Sequence, residues 1–249
     1  MKTFFLALIF TLCTTNLFAQ TLNDLNFITE EYPPFNFSVK GQLRGISTDT
    51  LVEMLKLLGA QQTRKNIGLF AWARDYNIAL KQENAVLFST TRTEAREKLF
   101  KWVGPIISSE IVLYARKDRH LSIGSIDDLN RQKLRVGVVL NDVGEQLLLE
   151  KGIKRAHLFR FNKGVHLAEM LARGRIDLLA YDKLVTLFNL KTLGFDPKDF
   201  EAVYVLKRAS YYYALNTQID DQIVLQLQQA LDQLKTSGAV DAIVKHYLD

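Results

Sequence analysis

Short apolar runs alternate with amphipathic stretches along this chain, stop at a long β-rich run, and then start again, and that restart is what most constrains the fold. Residues 25–29, 67–70 and 85–88 read as strands. Leu51, Val52, Leu55 and Leu58 share one helical face, capped in front by Thr48 or Asp49 and closed by Gly59; Tyr76, Ile78, Ala79 and Leu80 give residues 72–82 a buried side. Gly41 marks a hairpin-like turn, and Pro33-Pro34 holds the loop 30–35 extended while removing two backbone donors. Residues 106–116 are β-rich throughout. Beyond them come a short capped helix at 125–129, strands at 134–139, 157–161 and 176–180, and helices at 143–151, 163–172 and 182–193. Residues 201–206 and 211–215 read as two strands leading back, and helices at 220–235 and 240–248 complete the chain. Strands and helices alternating through short connections build mainly parallel sheets. A restart after a β crossover makes two lobes, and a cleft between lobes is a usual seat for a small ligand.

The chain has 249 residues, 48% hydrophobic and 24% charged, enough apolar material for a folded core. Its first nineteen residues stand apart: Lys2, a short apolar run from Phe4 to Leu12, and Leu17-Phe18-Ala19 have the layout of a secretory signal peptide cut after Ala19. The apolar run is shorter than the roughly twenty residues a membrane span needs. The single cysteine, Cys13, lies in this segment, so the mature chain is expected to lack disulfides, thiol nucleophiles and cysteine metal ligands. Leu12 is bulky where a lipoprotein signal carries a small residue before its cysteine. Together these features predict a soluble, exported periplasmic protein. The net charge of +5 is spread rather than clustered, which suits small anionic ligands and gives no nucleic-acid signature. His120, His157, His166 and His246 have no metal-ligand spacing, and no nucleophile elbow or phosphate loop occurs, so neither a metal nor a cofactor is expected. Acid–base chemistry stays open, because acidic residues abound.

The richest local chemistry lies at residues 89–102. A buried strand ends in the hydroxyls of Ser89, Thr90 and Thr91, and a charged helical turn with Arg92 and Arg96 follows. Free N–H groups, the positive end of a helix dipole and a planar guanidinium form a receptor for a carboxylate. Equally, Thr91 and Glu94 fit a capping box with solvated arginines. Tyr32 and Trp72 have two readings as well, covering a ligand's apolar body or packing the lobes together, whereas Phe35 favours packing.

These residues resemble a known family. Tyr32-Pro33-Pro34-Phe35, Gly45-Ile46-Ser47-Thr48-Asp49 and Thr91-Arg92-Thr93-Glu94-Ala95-Arg96 resemble periplasmic solute-binding proteins of polar amino-acid ABC transporters, family 3. Ile126-Asp127-Asp128-Leu129, Val136-Gly137-Val138, Gly174-Arg175-Ile176-Asp177 and Ser237-Gly238-Ala239-Val240 follow in matching order. The resemblance implies an α/β Venus-flytrap fold: two lobes with mixed, mainly parallel sheets, joined by two hinge strands. Lobe one would hold residues 20–110 and 208–249, and lobe two residues 111–207. It further implies that Arg96 grips a ligand α-carboxylate with help from Ser89 and Thr91. Asp182 would pair with the α-amino group, against a local reading as a plain helix N-cap. Tyr32 would cover the ligand side chain, and Trp72 lies close to another such aromatic.

One departure stands out. Where transport-type members place glycine and then threonine or serine after Val-Gly-Val, this chain has Leu140-Asn141-Asp142-Val143. Asn141 is expected to donate to the ligand, and Asp142 to repel a carboxylate unless it turns away or meets a cation. The resemblance thus implies a non-catalytic, monomeric binder of an amino acid or small carboxylate, serving an ABC permease or a membrane sensor. Cyclohexadienyl dehydratases are similar to this family and add a cleft acid; Glu30, Glu31 and Asp142 keep that alternative, and a sensor acting through a receptor is a third.

Overall fold

A computed structural model describes residues 20–248; the signal-peptide segment and Cys13 lie outside the described residues. Ten strands and eight α-helices follow in order. They are β1 (Asn26–Glu30), β2 (Phe37–Val39), β3 (Gln42–Arg44), α1 (Ile46–Leu57), β4 (Gly68–Phe70), α2 (Trp72–Lys81), β5 (Ala85–Thr91) and β6 (Lys101–Arg116). Next come α3 (Ile126–Arg131), β7 (Val136–Val139), α4 (Val143–Glu150), β8 (Leu158–Phe161), α5 (Gly164–Ala172), β9 (Leu178–Asp182), α6 (Lys183–Thr192), β10 (Phe200–Leu215), α7 (Asp221–Thr236) and α8 (Ala239–Leu248).

The main sheet runs β4-β1-β5-β10-β6-β9-β7-β8. Its outer thirds are parallel, β4-β1-β5 on one side and β9-β7-β8 on the other, and each is crossed over by helices. Between them β6 and β10 pair antiparallel from Lys101↔Leu215 to Phe200↔Arg116. Each has 16 residues, about 50 Å when extended, so the same two strands serve both lobes. The C-terminal ends of β1 and β5 face those of β7 and β9, the usual place for ligands on open α/β sheets.

Several expectations change here, among them the loop at 30–35, where Pro33, Pro34 and Phe35 form a turn closed by a Tyr32–Asn36 bridge rather than an extended segment. The two strands expected at 201–206 and 211–215 are one strand, because β6 supplies partners along all of β10, through three register shifts that let the pair bend. The turn carrying Arg96 is a 3-10 helix, Glu94–Leu99, with Thr93 as its N-cap. No Thr91 capping box forms, since Thr91 is still in β5 and paired with Tyr211. Finally, α1 begins at Ile46 behind Gly45, ahead of the Thr48 or Asp49 cap.

That last difference has a clear cause. The Ile46 and Ser47 N–H groups donate to the carbonyls of Pro34 (3.0 Å) and Phe35 (2.8 Å), so the proline loop itself satisfies the start of the helix. Gly45 permits this contact, with φ at 120° and a Cβ position that would overlap the Phe35 carbonyl. Phe35 is fully buried, as a packing role requires. One apolar cluster fills each lobe on its helical side. A third crosses between lobes, joining Tyr32, Phe35 and Trp72 to Tyr181, Val185 and Leu190. Gly45→Ala is expected to cost about 2 kcal/mol or more, through strain at positive φ and overlap with backbone. Thermal unfolding should show a Tm lowered by roughly 5 °C; an unchanged Tm would mean that the loop–helix contact is dispensable.

Candidate functional site

β5 delivers the arginine. Ser89 sits at φ 57° opposite the β10 register shift, and this bulge turns the strand end toward the cleft. Its hydroxyl faces into the lobe, hydrogen-bonding Asn36 Oδ1 and lying 2.8 Å from Ser47 Oγ. Ser89 therefore shapes the strand end rather than offering a free donor. The Thr91 carbonyl accepts from Arg96 Nη1 at 3.3 Å. The Arg96 guanidinium, 1% exposed, lies 5.1 Å from the ring centres of both Trp72 and Tyr76. Arg96 Nε donates to Gln146 Oε1 of α4 at 3.1 Å, across the cleft, while Nη2 is buried without a partner. Arg92, in contrast, is exposed and paired with Glu97.

The facing wall is the β7–α4 turn. Asn141 adopts φ 59°, a conformation asparagine tolerates, and its N–H donates to Glu145 Oε2 at 2.7 Å. Its side chain is exposed, and its backbone makes the contact across the cleft. The Asn141 carbonyl accepts the Trp72 indole N–H at 3.0 Å and a Gln146 amide proton at 3.2 Å. Asp142 points inward, buried, with Oδ2 unpartnered.

The β9–α6 junction forms the floor. Asp182 caps α6 through Val185 N–H at 2.9 Å, and its other oxygen accepts from Ser109 and, at 2.6 Å, from the Tyr211 hydroxyl. Since Tyr211 gives its proton to Asp182, the Tyr32 hydroxyl, 2.9 Å away, donates to Tyr211. Both Asp182 oxygens are thus engaged, as an N-cap and as the anchor of a tyrosine relay. Tyr32 also meets Tyr181 edge to face at 5.2 Å across the cleft.

Arg96, Thr91, Tyr32, Trp72 and Asp182 are thereby brought to one cleft, with Ser89 behind it and Asn141 joining by its backbone. Sequence reasoning passed over Tyr181, Tyr211 and Gln146. A signal existed for Gln146, which follows Asp142 by one helical turn and so shares its face. None existed for Tyr211, placed by a register shift.

The electrostatics are acidic. Burial pushes Asp142 up to about 6, held back by Arg96. Burial, with Asp142 and Asp75 adding to it, raises Glu30 well above the carboxylate range. Asp75, buried at α2 with both oxygens unpartnered, is pushed up to about 7 by burial. Burial also lowers Arg96 from its usual value.

Two α/β lobes hung on a pair of long strands, with charged groups buried between their strand ends, define the periplasmic-binding-protein fold. Residues 25–249 match the bacterial extracellular solute-binding proteins, family 3, and the chain belongs to that family. Over 164 residues it is 25% identical to the L-cystine-binding protein TcyJ of Escherichia coli (strain K12), covering 64% of this chain and 59% of that protein. The match thus takes in about three-fifths of that relative's length. Among solved structures, a histidine kinase sensor domain with similarity to periplasmic binding proteins superposes with TM-score 0.79 at 18% identity, over 91% of this chain and 96% of its own. A Streptococcus pneumoniae ABC uptake transporter substrate-binding protein with bound histidine gives 0.78 at 16%, over 89% and 91%. ArgBP from T. maritima, as a mutant, gives 0.73 at 22%, over 89% and 94%. At these identities the likeness is one of fold.

The raised carboxyls fix a pH dependence. Folded Asp142 and Asp75 hold protons up to about pH 6 and 7, while unfolded aspartates release them near 3.8. The folded chain binds more protons across that window, so their stabilising contribution is complete below the unfolded value and is lost as pH rises through the folded ones. Asp142 is faced by Arg96, Asp182 and Glu145, and the attraction of Arg96 is already included in its value. Without added solute, Tm is expected to fall by roughly 5 °C between pH 5 and pH 8. The fall should shrink in Asp75→Asn and in Asp142→Asn, and a slope unchanged from that of the unsubstituted protein in both variants would contradict the assignment.

Proposed function

We propose that the protein captures an amino acid between its lobes and hands it, unchanged, to an ABC permease. The observation that carries this reading is the buried Arg96 guanidinium with Nη2 unpartnered, facing Asp142 across the cleft. A fork-shaped cation and a carboxylate on opposite walls complement a zwitterion. Arg96 takes the carboxylate beside the Thr91 strand end that Ser89 shapes. Trp72 and Tyr32 form the walls, Asn141 latches Trp72 by its carbonyl, and Asp182 holds Tyr211 and Tyr32 in place while adding negative charge.

We divide the lobes at residues 20–110 with 208–249, and 111–207. Two pairings support this: β6 pairs with β9 from Ile111 onward, and β10 meets β5 only from Tyr211. Solute bridging both lobes favours the closed form by contacts the open form lacks. The protein acts as a monomer in the periplasm after removal of residues 1–19, and family membership as an extracellular binder supports that location. Among the described residues no helix is long and apolar enough to cross a membrane.

A dye-based melting screen over amino acids and small organic acids tests the reading. At least one amino acid should raise Tm by several degrees. Arg96→Lys, which keeps the charge but loses the fork, should weaken that solute about a hundredfold. Unchanged affinity in Arg96→Lys, or no stabilising amino acid, would refute it. One observation favours a second reading: Asp142, buried and pushed up to about 6, keeps a proton in mildly acidic solution that it could deliver to a leaving hydroxyl, as the acid of a cyclohexadienyl dehydratase would. Turnover of prephenate or arogenate would establish that activity, and its absence would dismiss it.

A further inference from the structure

Charge in the cleft does not balance for a neutral zwitterion. Glu30 and Asp142 are buried beside one buried cation, Arg96, and Asp75 is buried near Glu30. They act on one another, since Asp142 and Asp75 both push Glu30 toward its neutral form and Arg96 alone opposes them. Asp182 adds a fourth carboxylate, but its oxygens are engaged by Ser109, Tyr211 and Val185. Asp142 Oδ2 and Arg96 Nη2, by contrast, are fully buried and unpartnered, so the two walls offer one acceptor and one donor to whatever lies between them. A single α-ammonium group would satisfy Asp142 and leave Glu30 unmatched.

Glu30 opens onto a space that can hold more. A cavity of about 300 Å³ between the lobes is lined by Glu30, Glu31, Phe70, Ala71, Asn162 and Lys163. Glu31 already accepts the Ser38 N–H, and Lys163, exposed on the opposite wall, offsets its charge. Among the described residues no hydrogen bond engages the Glu30 carboxylate; the Asn36 side chain donates to the Glu30 backbone oxygen instead. The Phe70 ring, itself under the Arg74 guanidinium, flanks this space with an aromatic surface.

We propose that the solute is a cationic amino acid: its carboxylate rests on Arg96, its α-ammonium on Asp142, and its side-chain cation on Glu30 in the cavity beside Phe70. This rests on the amino-acid reading above and extends it from the kind of ligand to its charge. Burying carboxylates without partners is costly. A ligand with two positive groups relieves that cost at both Asp142 and Glu30, whereas a neutral side chain relieves it only at Asp142. A second positive charge stabilises the ionised form of Glu30, which burial otherwise holds toward neutral, and so adds affinity that a neutral isostere of the same shape lacks.

Calorimetric titration of the full mature chain at pH 7.5 tests this with L-arginine, L-lysine and L-ornithine against L-citrulline and L-glutamine, and with agmatine as a guanidinium lacking a carboxylate. The tightest of the three basic amino acids should bind at least tenfold more tightly than either neutral one. Glu30→Gln, nearly isosteric, should bring that ratio close to one by weakening the basic ligand and sparing citrulline or glutamine. A melting curve on the same sample establishes that the variant is folded, and Asp142→Asn should weaken basic and neutral amino acids alike. Neutral amino acids that bind as tightly as basic ones, or a ratio unchanged in Glu30→Gln, would overturn the charge inference and leave the amino-acid reading standing. Agmatine binding as tightly as arginine would instead remove the carboxylate role of Arg96 while keeping the demand for positive charge. No binding by any of the six would overturn both.

Discussion

Everything in the cleft is arranged around a guanidinium that cannot shed its charge. Arginine stays protonated under all ordinary conditions, so burying Arg96 commits the fold to surrounding it with acceptors, aromatic faces and opposite charge. The Thr91 carbonyl, the Trp72 and Tyr76 rings, Gln146 and the Asp142 carboxylate fill these roles, and they come from three different segments of both lobes. The β5 bulge at Ser89, the 3-10 turn at Glu94–Leu99 and the burial of Asp142 bring these groups together.

Closure is built from the same groups. Trp72 reaches the Asn141 carbonyl, Arg96 reaches Gln146, and Tyr32 stacks edge-on against Tyr181. Farther out, Phe37 meets Phe188 with ring centres 5.4 Å apart. Residues that would hold a solute therefore also hold the lobes together, which couples occupancy to conformation without a separate lever. The tyrosine relay from Tyr32 through Tyr211 to Asp182 ties this contact to the long strands on which both lobes hang. Movement of one lobe against the other must bend β6 and β10, and the register shifts between them are where such bending is easiest.

Much of this was legible in the sequence, for identifiable reasons. Parallel strands and their helices announce themselves by local apolar periodicity, so α2, α4, α5, α6 and α7 fell within a residue or two of expectation. Elements set by distant partners did not. β10 reads as two strands until β6 is laid beside it, and α1 reads as starting at Thr48 until the Pro34 and Phe35 carbonyls are seen to satisfy its first turn. The same division runs through the site. Arg96 stood out because hydroxyls, a strand end and a guanidinium are adjacent in sequence. The work of Tyr181, Tyr211 and Gln146 depends on lobe closure, which no local pattern encodes. Asp142 was visible as an anomaly, a carboxylate opposite an expected carboxylate site; that both lobes bury acids around one arginine required the fold.

A crystal structure of the mature chain with its bound solute tests whether Arg96 and Asp142 hold that solute between the lobes. The cleft should be closed, with the solute's carboxylate within hydrogen-bonding distance of both terminal nitrogens of Arg96 and an ammonium group resting on Asp142. A solute seated elsewhere, with Arg96 still turned to Gln146 and Thr91 alone, would contradict that placement.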